Sequence, residues 1–218
     1  MVQRSTGRRP WTACCLAVVA LCCRSTTPCF VLGGLESRWL PGRCGSPSRG
    51  SAVALQGCRI AIHMVSKPDQ GGWEAAAVTE YAQRMRVGDP PMEVETIFHK
   101  SDAHFLRAVE KSEHPVLVLD ERGSLLNSEE LSAAVFDRLE AGGSRLSFAI
   151  GGADGLPPQL RGLKPVSGRG KQVDGRSRQL MSLGRLTLPH RIARVVLVEQ
   201  LYRAQEIRRG SAYHRGDP

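Results

Sequence analysis

Leu183-Gly-Arg-Leu-Thr-Leu-Pro-His190 runs directly into Arg191-Ile-Ala-Arg-Val-Val-Leu-Val-Glu-Gln-Leu-Tyr-Arg-Ala-Gln-Glu-Ile-Arg-Arg-Gly210, and shortly afterwards the chain reads Tyr213-His214-Arg215. A proline-marked loop, a long apolar helix and a short aromatic-basic tail follow one another. Projected at about 100° per residue, Ile192, Val195, Val196, Leu197, Val198, Leu201, Tyr202, Ala204 and Ile207 surround most of the helix rather than forming one stripe. One core does not easily bury all of those faces. A deep central position or a partner subunit is needed, and the pattern reads as a homodimer built partly on this helix, with a wholly intramolecular helix as the alternative. Glu199 and Arg203 stand four residues apart, the spacing of an ion pair on a helix surface.

Working back from this tract, apolar runs and helical periods alternate. Arg59 to Val65, Glu93 to Phe98, Pro115 to Asp120 and Arg145 to Ile150 read as strands. Trp73 to Arg86, Ser101 to Lys111 and the segment ending at Ala141 read as helices, the last capped by Asn127 with Glu130 three residues on and stopped by Gly142-Gly143. Strands separated by helices predict an α/β domain, a mostly parallel sheet flanked by helices on both faces. Ligands bind such sheets outside the carboxyl ends of the strands, so the loops after Asp120, after Ile150 and after Leu183 are the candidate pocket. The turn Gly151-Gly152-Ala153-Asp154-Gly155 lets backbone approach a ligand closely, although a tight turn needs glycine with or without one. It is not the Gly-x-Gly-x-x-Gly fingerprint, which counts against an ordinary dinucleotide fold.

Composition separates an appendage from this domain. All seven cysteines lie in the first 58 residues, where Glu36 is the only acid against seven arginines. The folded part therefore has neither a disulfide framework nor a thiolate zinc site, and no metal is expected. Arg4, Arg8 and Arg9 precede an apolar run from Ala13 to Cys23, followed by a Ser-, Thr-, Gly-, Pro- and Arg-rich stretch to Gly50. That run is too short to span a bilayer. It reads as a targeting segment over residues 1–58, signal-like then transit-like, with Phe30 as an internal cleavage point. Such two-part leaders resemble those of algae with secondary plastids; a plastid destination is expected, a mitochondrion is the alternative, and no membrane association follows for the mature form, residues 59–218.

Charge is uneven within that domain. Arg59 to Pro158 holds 10 basic and 16 acidic residues, whereas Gln159 to Pro218 holds 13 basic and 4 acidic. Arg161, Lys164, Arg169, Lys171, Arg176 and Arg178 cluster beside the motif tract and read as a surface for a polyanion. A solvated charged loop is the plain alternative.

The motifs together carry a resemblance. Ile150-Gly151-Gly152, Leu186-Thr187-Leu188-Pro189-His190, Glu199-Gln200-Leu201-Tyr202-Arg203-Ala204 and Tyr213-His214-Arg215 closely resemble the RlmH-type large-subunit ribosomal RNA methyltransferases of the SPOUT class. The resemblance covers roughly Arg59 to Arg215. It implies a C-terminal trefoil knot, a homodimer, and transfer of a methyl group from S-adenosyl-L-methionine to N3 of a pseudouridine in large-subunit ribosomal RNA, here of an organellar ribosome. Cofactor-binding positions implied are Leu119, Gly151 and the loop Leu183, Gly184, Arg185, Leu186, Thr187 and Leu188, held by backbone groups and aliphatic contact without charged anchors.

On the same resemblance His214 accepts or relays the imino proton, Arg215 holds a phosphate or steadies developing charge, and Tyr213 stacks on the nucleobase. His190 orders the loop. A frayed structural tail is the alternative for the three terminal residues. Two departures stand out: a flexible basic insertion at about 162–178, and a shortened segment from His99 to His114. A ribosome-binding or assembly factor that kept the fold without transfer is therefore the second reading.

Overall fold

The computed structural model describes residues 57–68, 71–167 and 173–215, all within the unit Arg49–Pro218. The targeting segment expected over residues 1–58 lies outside them, apart from its last two residues. Cys58, assigned by composition to that segment, instead opens the first strand and is fully buried, so the core holds one free thiol. Burial pushes the Cys58 thiol above its ordinary range, which keeps it protonated.

Chain order gives β1 (Cys58–Val65), α1 (Trp73–Arg86), β2 (Met92–His99), α2 (Asp102–Glu110), β3 (Val116–Leu125), α3 (Ser128–Ala141), β4 (Arg145–Ile150), α4 (Pro158–Arg161), β5 (Arg178–Ser182) and α5 (His190–Arg209), closed by a 3-10 turn, Ala212–Arg215. The strands form one sheet in the order β2-β1-β4-β3-β5, and every pair is parallel. This is the α/β architecture expected from the alternation of strands and helices. The capping box at the start of α3 is realised on both sides: Glu130 N–H donates to Asn127 Oδ1 at 2.8 Å, and Asn127 N–H to Glu130 Oε2 at 2.9 Å.

Alternation along the strands divides two cores. Ile60, Ile62, Met64, Leu117, Leu146, Phe148 and Ile150 point to one face, where α1, α3 and α5 cover them. Val116, Val118, Ala149 and Leu180 point to the other, under α2 and α4. Within the three-helix layer α5 is central. Ser132 Oγ on α3 donates to Ala204 O at 2.8 Å, and the buried Gln205 Nε2 donates to Met85 O and Pro90 O at 2.9 and 2.6 Å on the α1 side. Helices on both flanks and strands beneath bury Leu197, Val198, Leu201 and Ala204, whereas Ile192, Val195, Val196, Tyr202 and Ile207 stay partly exposed within this chain. The central position accounts for one part of the apolar surface of α5 and leaves the other part open to a partner.

The sequence pattern names no strand between Ile150 and the loop at Leu183, and the structure adds β5 there, with Leu180 and Met181 buried. The described ends of the basic insertion, 162–167 and 173–178, join the sheet. Val166 N–H donates to Leu180 O at 2.8 Å and Leu180 N–H to Lys164 O at 2.9 Å, so Lys164–Val166 flanks β5, with Val166 buried. Its last residue, Arg178, belongs to β5 itself.

Candidate cofactor cleft at the carboxyl edge

The ends of β4 and β5 and the register break of β3 meet at one place. β3 delivers Leu119 and Asp120, β4 delivers Ile150 and Gly151, and β5 delivers Ser182 and the loop beyond it, closing round a cleft of about 590 Å³. That size suits a small organic cofactor. The cleft brings together Leu119, Gly151, Leu183, Gly184, Leu186, Thr187 and Leu188, seven of the eight residues singled out in the sequence. Arg185 is exposed and does not line it. Pro189 and His190 line its far wall, where α5 begins.

Local geometry explains the residue types. A Cβ at Gly151 would lie 2.7 Å from the backbone carbon and oxygen of Gly155, because the turn folds back on itself through a Gly152–Gly155 bridge. Glycine is thus demanded there by the turn. On the opposite wall Ser182 Oγ donates to Gly184 O at 2.7 Å, which bends the chain out of β5 into the loop. The start of α5 follows directly, with Ala193 N–H donating to Pro189 O at 2.9 Å.

Charged groups were not expected among the cofactor contacts, yet Asp120, Glu121, Arg122 and Arg161 all line the cleft. Asp120 Oδ1 accepts the N–H of Arg122 at 2.8 Å, an Asx-type turn that carries β3 around a break in its register. The signal for Asp120 was its position at the carboxyl end of a predicted strand; Glu121 and Arg122 follow from that turn, and Arg161 comes from α4. Aliphatic walls with two carboxylates fit a partly apolar, cationic molecule such as S-adenosylmethionine.

The proposed polyanion surface is thinner than its composition. Arg161 Nε donates to Leu156 O at 2.8 Å, bracing the glycine turn from below. Arg178 donates to Val109 O at 3.0 Å, to Ser112 O at 3.3 Å and to Glu110 O, capping the C-terminal carbonyls of α2. Lys164 and Arg176 are exposed, while Arg169 and Lys171 lie outside the described residues. Arg122 on the cleft wall and the exposed Arg185 add positive charge at the mouth.

Tyr213 does not stand free. Its ring meets Tyr202 edge-on at 5.0 Å between centroids and lies 5.1 Å from the Arg203 guanidinium, and its hydroxyl faces Glu199 Oε1 at 3.3 Å. A ring so engaged is poorly placed to stack on a base. His214 and Arg215 belong to the closing 3-10 turn.

The most perturbed histidine lies away from the cleft. His63 on β1 sits 3.0 Å from His99, and its other ring nitrogen faces Ser147 Oγ at 3.4 Å, which also meets His114 at 2.8 Å. Burial, then the neighbouring His99 and His114, lower its pKa from 6.5 to about 4. The neutral form is the one that folds, so its contribution is complete above about pH 6.5 and is lost as pH falls toward about 4. His99 and His114, both lowered chiefly by burial, act in the same direction. Melting temperature should therefore decline between neutral pH and about 4, and His63→Gln should flatten that decline; a slope unchanged by the substitution would assign the acid sensitivity to other groups.

Among the described residues no group of three His, Cys, Asp or Glu side chains is arranged to hold a metal ion, and no helix is long and apolar enough to cross a membrane.

Fold and cleft define an α/β domain that takes a small cofactor at the carboxyl edge of a parallel sheet, between a glycine turn and a proline-terminated loop. Comparison with known proteins is more specific: residues 58–214 match the family described as predicted SPOUT methyltransferase. Proteins named ribosomal RNA large subunit methyltransferase H are similar to this chain. That of Protochlamydia amoebophila is 35% identical over 143 residues, 66% of this chain and 89% of the relative. That of Deinococcus radiodurans is 39% identical over 151 residues, 67% and 89%. That of Thermus thermophilus is 37% identical over 158 residues, 72% and 98%. The chain belongs to the SPOUT methyltransferase family, whose methyl donor is S-adenosylmethionine.

Proposed function

We propose that this protein transfers a methyl group from S-adenosylmethionine to N3 of a pseudouridine in large-subunit ribosomal RNA of an organellar ribosome. The observation that carries the reading is the convergence of Leu119, Gly151 and the Leu183–Leu188 loop on one cleft of cofactor size. Its RNA substrate is supported by the relatives, named for methylation of large-subunit ribosomal RNA.

Bound in the cleft, the cofactor supplies an already activated sulfonium methyl. What remains for the chain is orientation and proton removal. Leu119, Leu183 and Leu188 offer aliphatic surface for the adenosine, and the carboxylates of Asp120 and Glu121 draw the cationic end to the same wall. With the methyl supplied by the cofactor's sulfonium, His214 would take the imino proton released at N3 and Arg215 would steady the charge on the base. The positive rim of Arg122 and Arg185 guides the polyanion.

Two architectural features complete the proposal. The Leu183–His190 loop is read as part of a trefoil knot, supported by the close passage of the 120–124 segment over Met181. The active unit is read as a homodimer, to be checked by light scattering of the purified protein. Residues 1–58 are read as a plastid-directing segment, with the mitochondrion as the other destination. A fluorescent fusion lacking them should stay in the cytosol, whereas the full chain reaches the organelle.

Titration calorimetry of the purified protein with S-adenosylmethionine should give saturable heat; none at millimolar ligand would leave only a binding or assembly factor. For the substrate, organellar ribosomal RNA from a deletion strain should lack methylpseudouridine by mass spectrometry. Unchanged methylpseudouridine there would end the assignment.

A further inference from the structure

The carboxylate of Glu199 does more than pair with the arginine one turn on. Arg203 Nε and Nη2 donate to Glu199 Oε1 at 3.2 and 2.8 Å, and Gln200 Nε2 donates to Oε2 at 2.6 Å. Tyr213, fourteen residues away in sequence, adds its hydroxyl to the same Oε1 at 3.3 Å. Both side chains of the ion pair are mostly covered, 19% exposed for Glu199 and 29% for Arg203. A solvent-facing helix pair would show neither that cover nor a third partner from outside the helix.

The aromatic contacts continue the same arrangement. Tyr213 meets Tyr202 edge-on, and Tyr202 in turn rests against Tyr81 of α1 at 5.8 Å between centroids. Gly210, in the left-handed region at φ 78°, reverses the chain, and Ser211 N–H donates back to Glu206 O at 3.0 Å. From Gly210 to Glu199 is about 16 Å along the helix axis. The tail therefore folds back along α5 toward the end that lines the cleft. Ala193, on the cleft wall, is about 9 Å further on from Glu199.

We propose that Glu199 is a positioning residue: with Tyr202 and Arg203 it latches Tyr213 onto α5 and so presents the turn 212–215, with His214 and Arg215, in one fixed register to the RNA. Tyr213 is then the latch itself rather than a platform for a base. What the turn does once latched rests on the proposed function; the latch does not. A chain end of this length, left without such contacts, frays.

The test uses the full chain and the variants Glu199→Gln, Tyr213→Phe and the two combined. Tyr213→Phe keeps the ring and removes only the hydroxyl, so the fold is retained. Hydrogen–deuterium exchange of the tail peptide should quicken about tenfold in each single variant, the scale of one lost hydrogen bond to a charged group. The double variant should fall short of the product of the two single effects, because both weaken the one contact between Glu199 Oε1 and the Tyr213 hydroxyl. Turnover on ribosomal RNA should fall about tenfold in parallel, while S-adenosylmethionine affinity holds at its wild-type value in each variant and melting temperature holds in Tyr213→Phe, which leaves the Glu199–Arg203 pair intact.

Unchanged exchange, or additive effects in the double variant, would overturn the latch. Equal losses of turnover and cofactor affinity would overturn the positioning role. Should the wild-type protein bind cofactor yet methylate no ribosomal RNA, the proposed function fails and presentation to RNA fails with it, while exchange still decides whether the latch exists.

Discussion

Gly123→Ala is expected to lower the melting temperature by about 6–12 °C and to weaken S-adenosylmethionine binding by more than about tenfold. A Cβ at 123 would lie 2.3 Å from the carbonyl carbon of Met181 and 2.5 Å from its Cα and nitrogen. These are backbone atoms, so no side chain can swing aside to make room. Met181 is held from two directions, opposite Leu119 before the register break in β3 and opposite Ser124 after it. The strand β5 must therefore move as a unit.

Overpacking of this kind costs about 1–3 kcal/mol, here toward the upper end, and each kcal/mol is about 2–4 °C in a chain of this size. Movement of β5 continues into Ser182 and the loop that walls the cleft, so affinity falls with stability. Gly162→Ala is the control, since nothing stands within 4 Å of its Cβ position. Scanning calorimetry and ligand titration on both variants would decide; wild-type values for Gly123→Ala would mean that the 120–124 segment and β5 are not mechanically joined.

His214→Ala is the second large effect. Removal of a general base should lower turnover by about 10²–10⁴-fold while leaving cofactor affinity unchanged. The deficit should shrink as pH rises, because the N3 imino proton is then lost to solvent without help. Arg215→Ala should likewise reduce turnover and spare cofactor binding, with no comparable recovery at high pH. Turnover measured across pH, alongside calorimetry, separates these outcomes. A His214→Ala deficit that stays constant with pH, or that is matched by lost affinity, would make the tail a structural element.

Much of the fold was legible because local chemistry and final environment agree. Asn127 with Glu130 marked the start of α3, and both capping hydrogen bonds form. The buried strands of the parallel sheet read as short apolar runs because both faces are covered. What escaped was information held in pairing rather than in local pattern. β5 has only five residues, and its identity as a strand depends on β3 and on Lys164–Val166 lying beside it. Likewise Arg161 and Arg178 were read as cations awaiting a polyanion, whereas α2 and the glycine turn recruit their donors.

The sequence by itself determined the alternation of β1 to β4 with α1, α2 and α3, the long helix α5, the family, and the loops that form the cleft. These follow from hydrophobic period, caps and motifs, all encoded within a few residues of one another. Tertiary structure alone decided that α5 lies between α1 and α3, that carboxylates share the cleft wall, and that Tyr213 is gripped by Glu199. The physical reason is common to all three. Burial, field and hydrogen-bond partnership belong to pairs of groups far apart in the chain, and they have no value until folding brings both members together.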